Sequence, residues 1–204
     1  MLNYRNSSTA LLVIDVQNDY CSPEGRVAQS GRPMQSVYRA VRNTEKLLGR
    51  ARRAGIPIAF TRMVYDPKKI SAGNLRRLEK IGLDGLCAPR SNGAGFYRVK
   101  PLAVERVFAK NFYDAFYRTR LDAWLKKNKV KTVILCGVAT NICVMLTAAG
   151  AYYRGYEVVV ANDCVGEYED REFALRSMRK QFAARDAPGC KWVQAALPPS
   201  IPNK

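Results

Sequence analysis

The chain contains no histidine in its 204 residues. That absence removes every imidazole general base, every nucleophile that relies on one, and every histidine-containing metal site. Long apolar runs are also missing: none approaches the roughly 20 residues that a membrane-spanning helix needs. The first residues, "MLNYRNSSTA", lack the charged start and apolar core of a secretory signal. The expectation is a cytoplasmic protein with no membrane partner. Close cysteine pairs are absent as well. The six cysteines, Cys21, Cys87, Cys136, Cys143, Cys164 and Cys190, are scattered without a C-x-x-C spacing, so they read as free thiols. No metal and no cofactor is expected.

Acidic residues are scarce beside basic ones, 17 against 34, for a formal charge of +17. Such a surface attracts anions. The basic residues are nevertheless dispersed, for example Arg50, Arg52 and Arg53, then Lys68 and Lys69, then Lys126, Lys127, Lys129 and Lys131. No arginine-rich block or tail appears, so solvated helix faces are preferred over a nucleic-acid surface.

What is present is an alternation of apolar runs and amphipathic stretches. The run Ala10 to Ile14 reads as a strand covered on both faces. From Met34 to Ala54 apolar residues recur at the 3.6-residue period and Gly55 follows as a stop, which predicts a helix. Further strands are expected at 56–65, 104–110, 131–139, 156–163 and 190–196, and further helices at 117–130, 140–154 and 171–184. Strands alternating with helices make βαβ units. The predicted fold is a single α/β domain over residues 1–204: three layers, with helices on both faces of a six-stranded parallel sheet. The stretch 67–100, with "SAGN" and "APRSNGAGF", breaks the rhythm and reads as a long binding loop or lid.

In open α/β sheets, ligands bind beyond the carboxyl ends of the strands. Asp15 closes the first strand, Lys110 the third, and Cys143 lies just past the fourth. If Thr140 caps the following helix, Cys143 sits in its first turn, where free amides and the helix dipole favour a thiolate. Asp15 can then take the thiol proton, Lys110 can stabilise charge, and the amides of Ala139 and Cys143 can form an oxyanion hole. Blander readings stand beside these. A lone cysteine in such a unit is commonly core filler, as Cys136 and Cys164 are read here. A lone aspartate can be a cap, and a lone lysine a surface charge.

Three stretches, "LLVIDVQNDY", "KNFYDAFYRTRLDAWL" and "KTVILCGVATNICVMLTAAGAYYRGYEVVVANDCVG", together resemble the isochorismatase-like cysteine hydrolases, a superfamily that includes nicotinamidases, N-carbamoylsarcosine amidase, biuret hydrolases and ureidoacrylate amidohydrolases. The resemblance runs with gaps from about residue 10 to 166. It implies a Rossmann-like strand order, a catalytic triad of Asp15, Lys110 and Cys143, a cis peptide between Val138 and Ala139, and a homo-oligomer. Tyr20 matches an aromatic position that commonly lines the family's pocket; a packing aromatic is the alternative. True isochorismatases lack the cysteine, and nicotinamidases carry an Asp/His metal site that this chain cannot build. Where the family often reads C-V-E-x-T-x-R-D-A, this chain has Met145, Ala149 and Gly150 in place of polar residues. The expectation is hydrolysis of a C–N bond in a small amide, ureide or carbamoyl substrate through a thioester, without a metal. The alternative is a non-catalytic protein of the same fold that binds nucleic acid or another polyanion.

Overall fold

The computed structural model of the chain describes residues 8–189 together with 191 and 192. Its strands are β1 (Thr9–Ile14), β2 (Ile58–Met63), β3 (Arg106–Lys110), β4 (Thr132–Val138), β5 (Glu157–Gly166) and β6 (Arg185–Ala187). Between them lie α1 (Asn18–Cys21), α2 (Arg26–Gln29), α3 (Gln35–Arg53), α4 (Ala72–Lys80), α5 (Leu121–Lys127), α6 (Met145–Tyr152) and α7 (Arg171–Gln181), and a π-turn at Thr140–Val144 leads into α6. The strands form one parallel sheet in the order β3-β2-β1-β4-β5-β6. Strand order reverses between β1 and β4, the point where an open α/β sheet leaves a crevice.

The two central strands are buried at every position. Their unbroken apolar character is what burial on both faces requires. The edge strands differ: β3 is exposed along most of its length, and only Lys110, at its inner end, is buried. In α3 the buried residues Val37, Ala40, Val41, Thr44, Leu47, Leu48 and Ala51 follow the helical period and face the core. Gly55, at φ 65°, ends it in a Schellman motif: Gly55 N donates to Arg52 O and Ile56 N to Ala51 O, both at 3.1 Å. Gly137 has a different task. A Cβ there would stand 2.0 Å from the Ile14 carbonyl oxygen, so only glycine lets the end of β4 press against the end of β1.

Several boundaries depart from the sequence expectation. The sixth strand is Arg185–Ala187 rather than 190–196; Lys191 and Trp192 are helical, and the rest of that stretch lies outside the described residues. Strand β3 starts at Arg106, because Glu105 N closes a turn onto Leu102 O. The helix expected at 117–130 occupies only Leu121–Lys127, since Asp114 to Thr119 form turns. The stretch 67–100 holds a helix, α4, capped by Ser71, whose hydroxyl accepts from Asn74 N at 3.2 Å. Among the described residues, no helix is long and apolar enough to cross a membrane.

Candidate active site

At the strand-order reversal, three side chains meet. Lys110 Nζ lies 2.6 Å from Asp15 Oδ2 and 3.4 Å from Cys143 Sγ, and the Asp15 and Lys110 side chains have no solvent exposure. The ammonium also donates to the carbonyls of Phe112 and Tyr113, each at 3.2 Å. An ion pair removed from water is tolerated only when its polar atoms find partners; here the ammonium's donors do, and Asp15 Oδ2 has Lys110 itself as its ion-pair partner. Thr61, on β2, donates to Asp15 Oδ1 at 2.6 Å and accepts from Asp15 N at 3.2 Å. It locks the carboxylate's rotamer, leaving the other oxygen for Lys110 and the thiol. Asp15 itself has φ 49°, a left-handed conformation that turns the chain sharply at the end of β1.

The thiol is not acidified by its position. Burial pushes Cys143 up, Lys110 pulls it back, and the charge of Asp15 together with a hydrogen bond to that carboxylate raises it again. Burial is the largest of these influences, and the balance favours the neutral thiol at Cys143. Thr140 does not cap either. It is the first residue of the π-turn, and its hydroxyl donates to Gly166 O at 2.8 Å. Lys110 is held above its ordinary value: burial disfavours the ammonium, but Asp15 and then Cys143 outweigh that. It is a cation throughout.

Cys143 opens onto a cavity of about 310 Å³, within the range of small-molecule sites, roughly 300–1,000 Å³. Ala139 lines it, as does Tyr20, which is therefore a wall residue. The peptide between Val138 and Ala139 is cis. Tyr65, Tyr113 and Tyr168 complete an aromatic lining; Tyr168 donates to Tyr20 O at 2.9 Å, and Tyr20 and Tyr65 hydroxyls meet at 3.5 Å. Glu167 also borders the cavity, yet its oxygens accept from Asn141 N at 2.6 Å and Tyr168 N at 2.7 Å. It braces the π-turn, and burial raises its carboxyl. Asp163 accepts from Gly189 N at 2.6 Å and lies outside this cavity.

Sequence reasoning missed how the 67–100 segment is fastened. Gln17, fully buried, donates to Met63 O at 2.9 Å and Ala94 O at 3.0 Å and accepts from Met63 N at 2.7 Å. Asp19 accepts from Cys87 N at 2.6 Å, and a Cβ on Gly93 would come within 2.0 Å of its carboxylate. The signal available in the sequence was a run of polar residues, "QND", directly after a buried strand. Gly150, one of the departures from the family pattern, makes room for Asp114: a Cβ there would lie 2.5 Å from its Oδ1. Among the described residues no three His, Cys, Asp or Glu side chains come together as a metal cluster.

The isochorismatase domain model matches residues 9–185. An isochorismatase family protein of Bacillus subtilis is 31% identical over 156 residues, covering 76% of this chain and 76% of its own. A ureidoacrylate amidohydrolase of Methylobacterium radiotolerans is 29% identical over 171 residues, covering 77% of this chain; the match spans 66% of that relative's length. Among solved structures, a cysteine hydrolase from Pseudomonas syringae pv. phaseolicola superposes with a TM-score of 0.84 at 22% identity, covering 96% of this chain and 95% of its own.

Proposed function

The chain belongs to the isochorismatase family, and from that premise we propose that it is a metal-independent cysteine hydrolase that cleaves the C–N bond of a small amide, ureide or carbamoyl compound through a thioester. The observation that carries this reading is the buried contact set Asp15, Lys110 and Cys143, of which Cys143 lines a cavity and the other two lie behind it. The named activity of one relative, a ureidoacrylate amidohydrolase, belongs to the same chemistry.

The reaction starts from the neutral thiol. As Sγ attacks the carbonyl carbon, its proton passes to Asp15, and the carbonyl electron pair moves to oxygen. Backbone amides at Ala139 and Cys143 hold that oxyanion. Collapse breaks the C–N bond while the proton on Asp15 moves to nitrogen, so ammonia or an amine leaves and a thioester remains. Water then gives a proton to Asp15 as its oxygen attacks the thioester. The C–S bond breaks, and the proton returns to sulfur. Lys110 stays charged throughout, stabilising the carboxylate when it is ionised and the sulfur when it carries charge. One base serves both halves, which suits a chain with no imidazole.

The test is a screen of small amides and ureides for ammonia release beside a folded Cys143→Ala control. At least one compound should be turned over by the wild type and by the variant only at background rate. Equal release from both proteins would contradict the reading.

A further inference from the structure

Lys110 owes two of its bonds to a stretch of backbone without regular structure. The carbonyls of Phe112 and Tyr113, each 3.2 Å from Nζ, belong to the turns that follow β3. Carbonyls in a helix or strand are aimed by the repeat, and these need something else to aim them. The next two amides show what does. Ala115 N donates to the Thr147 hydroxyl at 3.1 Å, and Phe116 N to Asp114 Oδ1 at 2.8 Å. Both amides are held by side chains, and both side chains meet α6. Thr147 belongs to that helix and is fully buried, while the Asp114 carboxylate lies against Gly150.

Gly150 is what admits that carboxylate. A Cβ there would stand 2.5 Å from Asp114 Oδ1 and 2.8 Å from both Cγ and Oδ2, closer than a Cβ approaches another atom. The residue lies inside α6, where glycine weakens a helix relative to alanine, and its φ is not in the left-handed region that would call for glycine. Room for Asp114 is the gain that offsets this cost. Arg154 closes the arrangement from the other side, donating to Gly150 O at 2.8 Å with its guanidinium carbon 4.8 Å from the centre of the Phe116 ring. The same turn reaches the cavity through Tyr113, which lines it and whose hydroxyl accepts from Arg77 on the α4 wall.

We propose that Asp114 is a positioning residue for Lys110. Seated in the notch at Gly150, it fixes the turn whose carbonyls hold the ammonium between Asp15 and Cys143. Its effect on rate rests on the hydrolase reading, to which it adds a residue that acts through one of the three buried groups. The role is that of an acceptor: Phe116 N needs an oxygen at Oδ1, which an amide in place of the carboxylate also supplies.

The experiment measures kcat for ammonia release and the denaturant midpoint of unfolding. Asp114→Ala should lower kcat about tenfold or more, since a misplacement of about 1 Å costs about 10²-fold. Asp114→Asn, which keeps the acceptor, should keep most of the rate. Gly150→Ala drives the carboxylate from its notch and should lower kcat as Asp114→Ala does. Combined with Asp114→Ala it should do no further harm, because the atoms it collides with are gone. A glycine without this task would behave in the opposite way, with Gly150→Ala as active as the wild type and more stable. A second measurement needs no substrate. In an Asp15→Asn/Lys110→Met protein no ammonium uses the two carbonyls, so Asp114→Ala should lower the midpoint there by about half as much as in the wild type, or less. A cap that served only the turn would cost the same in both. Equal cost in both backgrounds, or wild-type kcat in either Asp114→Ala or Gly150→Ala, would overturn the proposal. If Asp114→Ala does not fold, Asp114→Asn and Gly150→Ala decide it by the same readings. Normal turnover in these variants would leave the hydrolase reading standing and remove this one. If no compound gave Cys143-dependent release, the hydrolase reading would fall, while the unfolding comparison still decided whether Asp114 acts on Lys110.

Discussion

The floor and the α4 wall of the cavity are built in opposite ways. At and beneath the floor, Cys143, Asp15 and Lys110 come from three strand ends and are 0–5% exposed, and Lys110 reaches both of the others within 3.4 Å. On the wall, α4 is exposed at most of its positions and buries only Leu78. The segment is tied down by Gln17 and Asp19, which bond its far end, Cys87 to Ala94, and not the helix. A group held by a buried sheet cannot adapt, which suits chemistry that needs one fixed proton path. An exposed helix on a tethered loop can change its side chains at little cost to stability. The contrast fits the proposed reaction, whose groups are the ones the buried sheet holds in place.

The largest expected effect comes from breaking the floor's charge balance. Lys110→Met leaves the Asp15 carboxylate buried without its cation, which should cost about 3–5 kcal/mol of stability and abolish turnover. Adding Asp15→Asn to that variant should return much of the stability and none of the activity, measurable by denaturant unfolding. If the single variant is as stable as the wild type, the pair is not a closed buried unit.

Next is the thiol's protonation. Because the Cys143 value is raised, only a small fraction is thiolate near neutrality. Its alkylation by iodoacetamide, followed by peptide mapping, should rise about tenfold per pH unit from pH 7 to 9 without levelling at the ordinary thiol value of about 8.5. A plateau below pH 8 would mean a preformed thiolate and a different proton path.

The smallest effect sharpens the wall. Ser71→Ala removes the cap of α4 and should cost about 1 kcal/mol locally. Since α4 carries Arg77 but none of the reacting groups, KM should rise severalfold while kcat changes little. A fall in kcat with unchanged KM would place α4 in the chemistry instead.

The same contrast governs what could be read before the structure. Asp15, Lys110 and Cys143 were legible because each follows an apolar run whose burial is written in its composition, and strand ends in a parallel sheet converge. The parallel sheet and most of its helices were legible for that reason too. Thr61 was not, because a hydroxyl inside "IAFTRM" looks like any strand residue until its neighbour in the sheet is known; β2 lies beside β1, placing Thr61 against Asp15. The acidity of Cys143 was misjudged because a local argument from the start of a helix takes no account of burial or of a carboxylate 128 positions away in the chain. Helix α4 was hidden by "SAGN", which reads as a turn yet supplies a cap. The sixth strand was misplaced because Arg185, Asp186 and Ala187 carry no strand pattern; they pair with β5 at the edge of the sheet through the backbone and through polar side chains, Arg185 with Glu157 and Asp186 with Asn162.

The most direct test of the floor is Asp15→Asn. The amide can still accept from Thr61 and face Lys110, whose bonds to Phe112 and Tyr113 are unaffected, so the variant should fold. It cannot take the thiol proton in either half-reaction. Losing a positioned base costs about 10²–10⁴-fold, and a base used twice should lie at or beyond the upper end. With thermal unfolding confirming the fold, kcat for ammonia release should fall by about 10⁴-fold or more. A folded Asp15→Asn protein that keeps more than about a tenth of the wild-type kcat, well inside that range, would show that Asp15 is structural and that another group moves the proton.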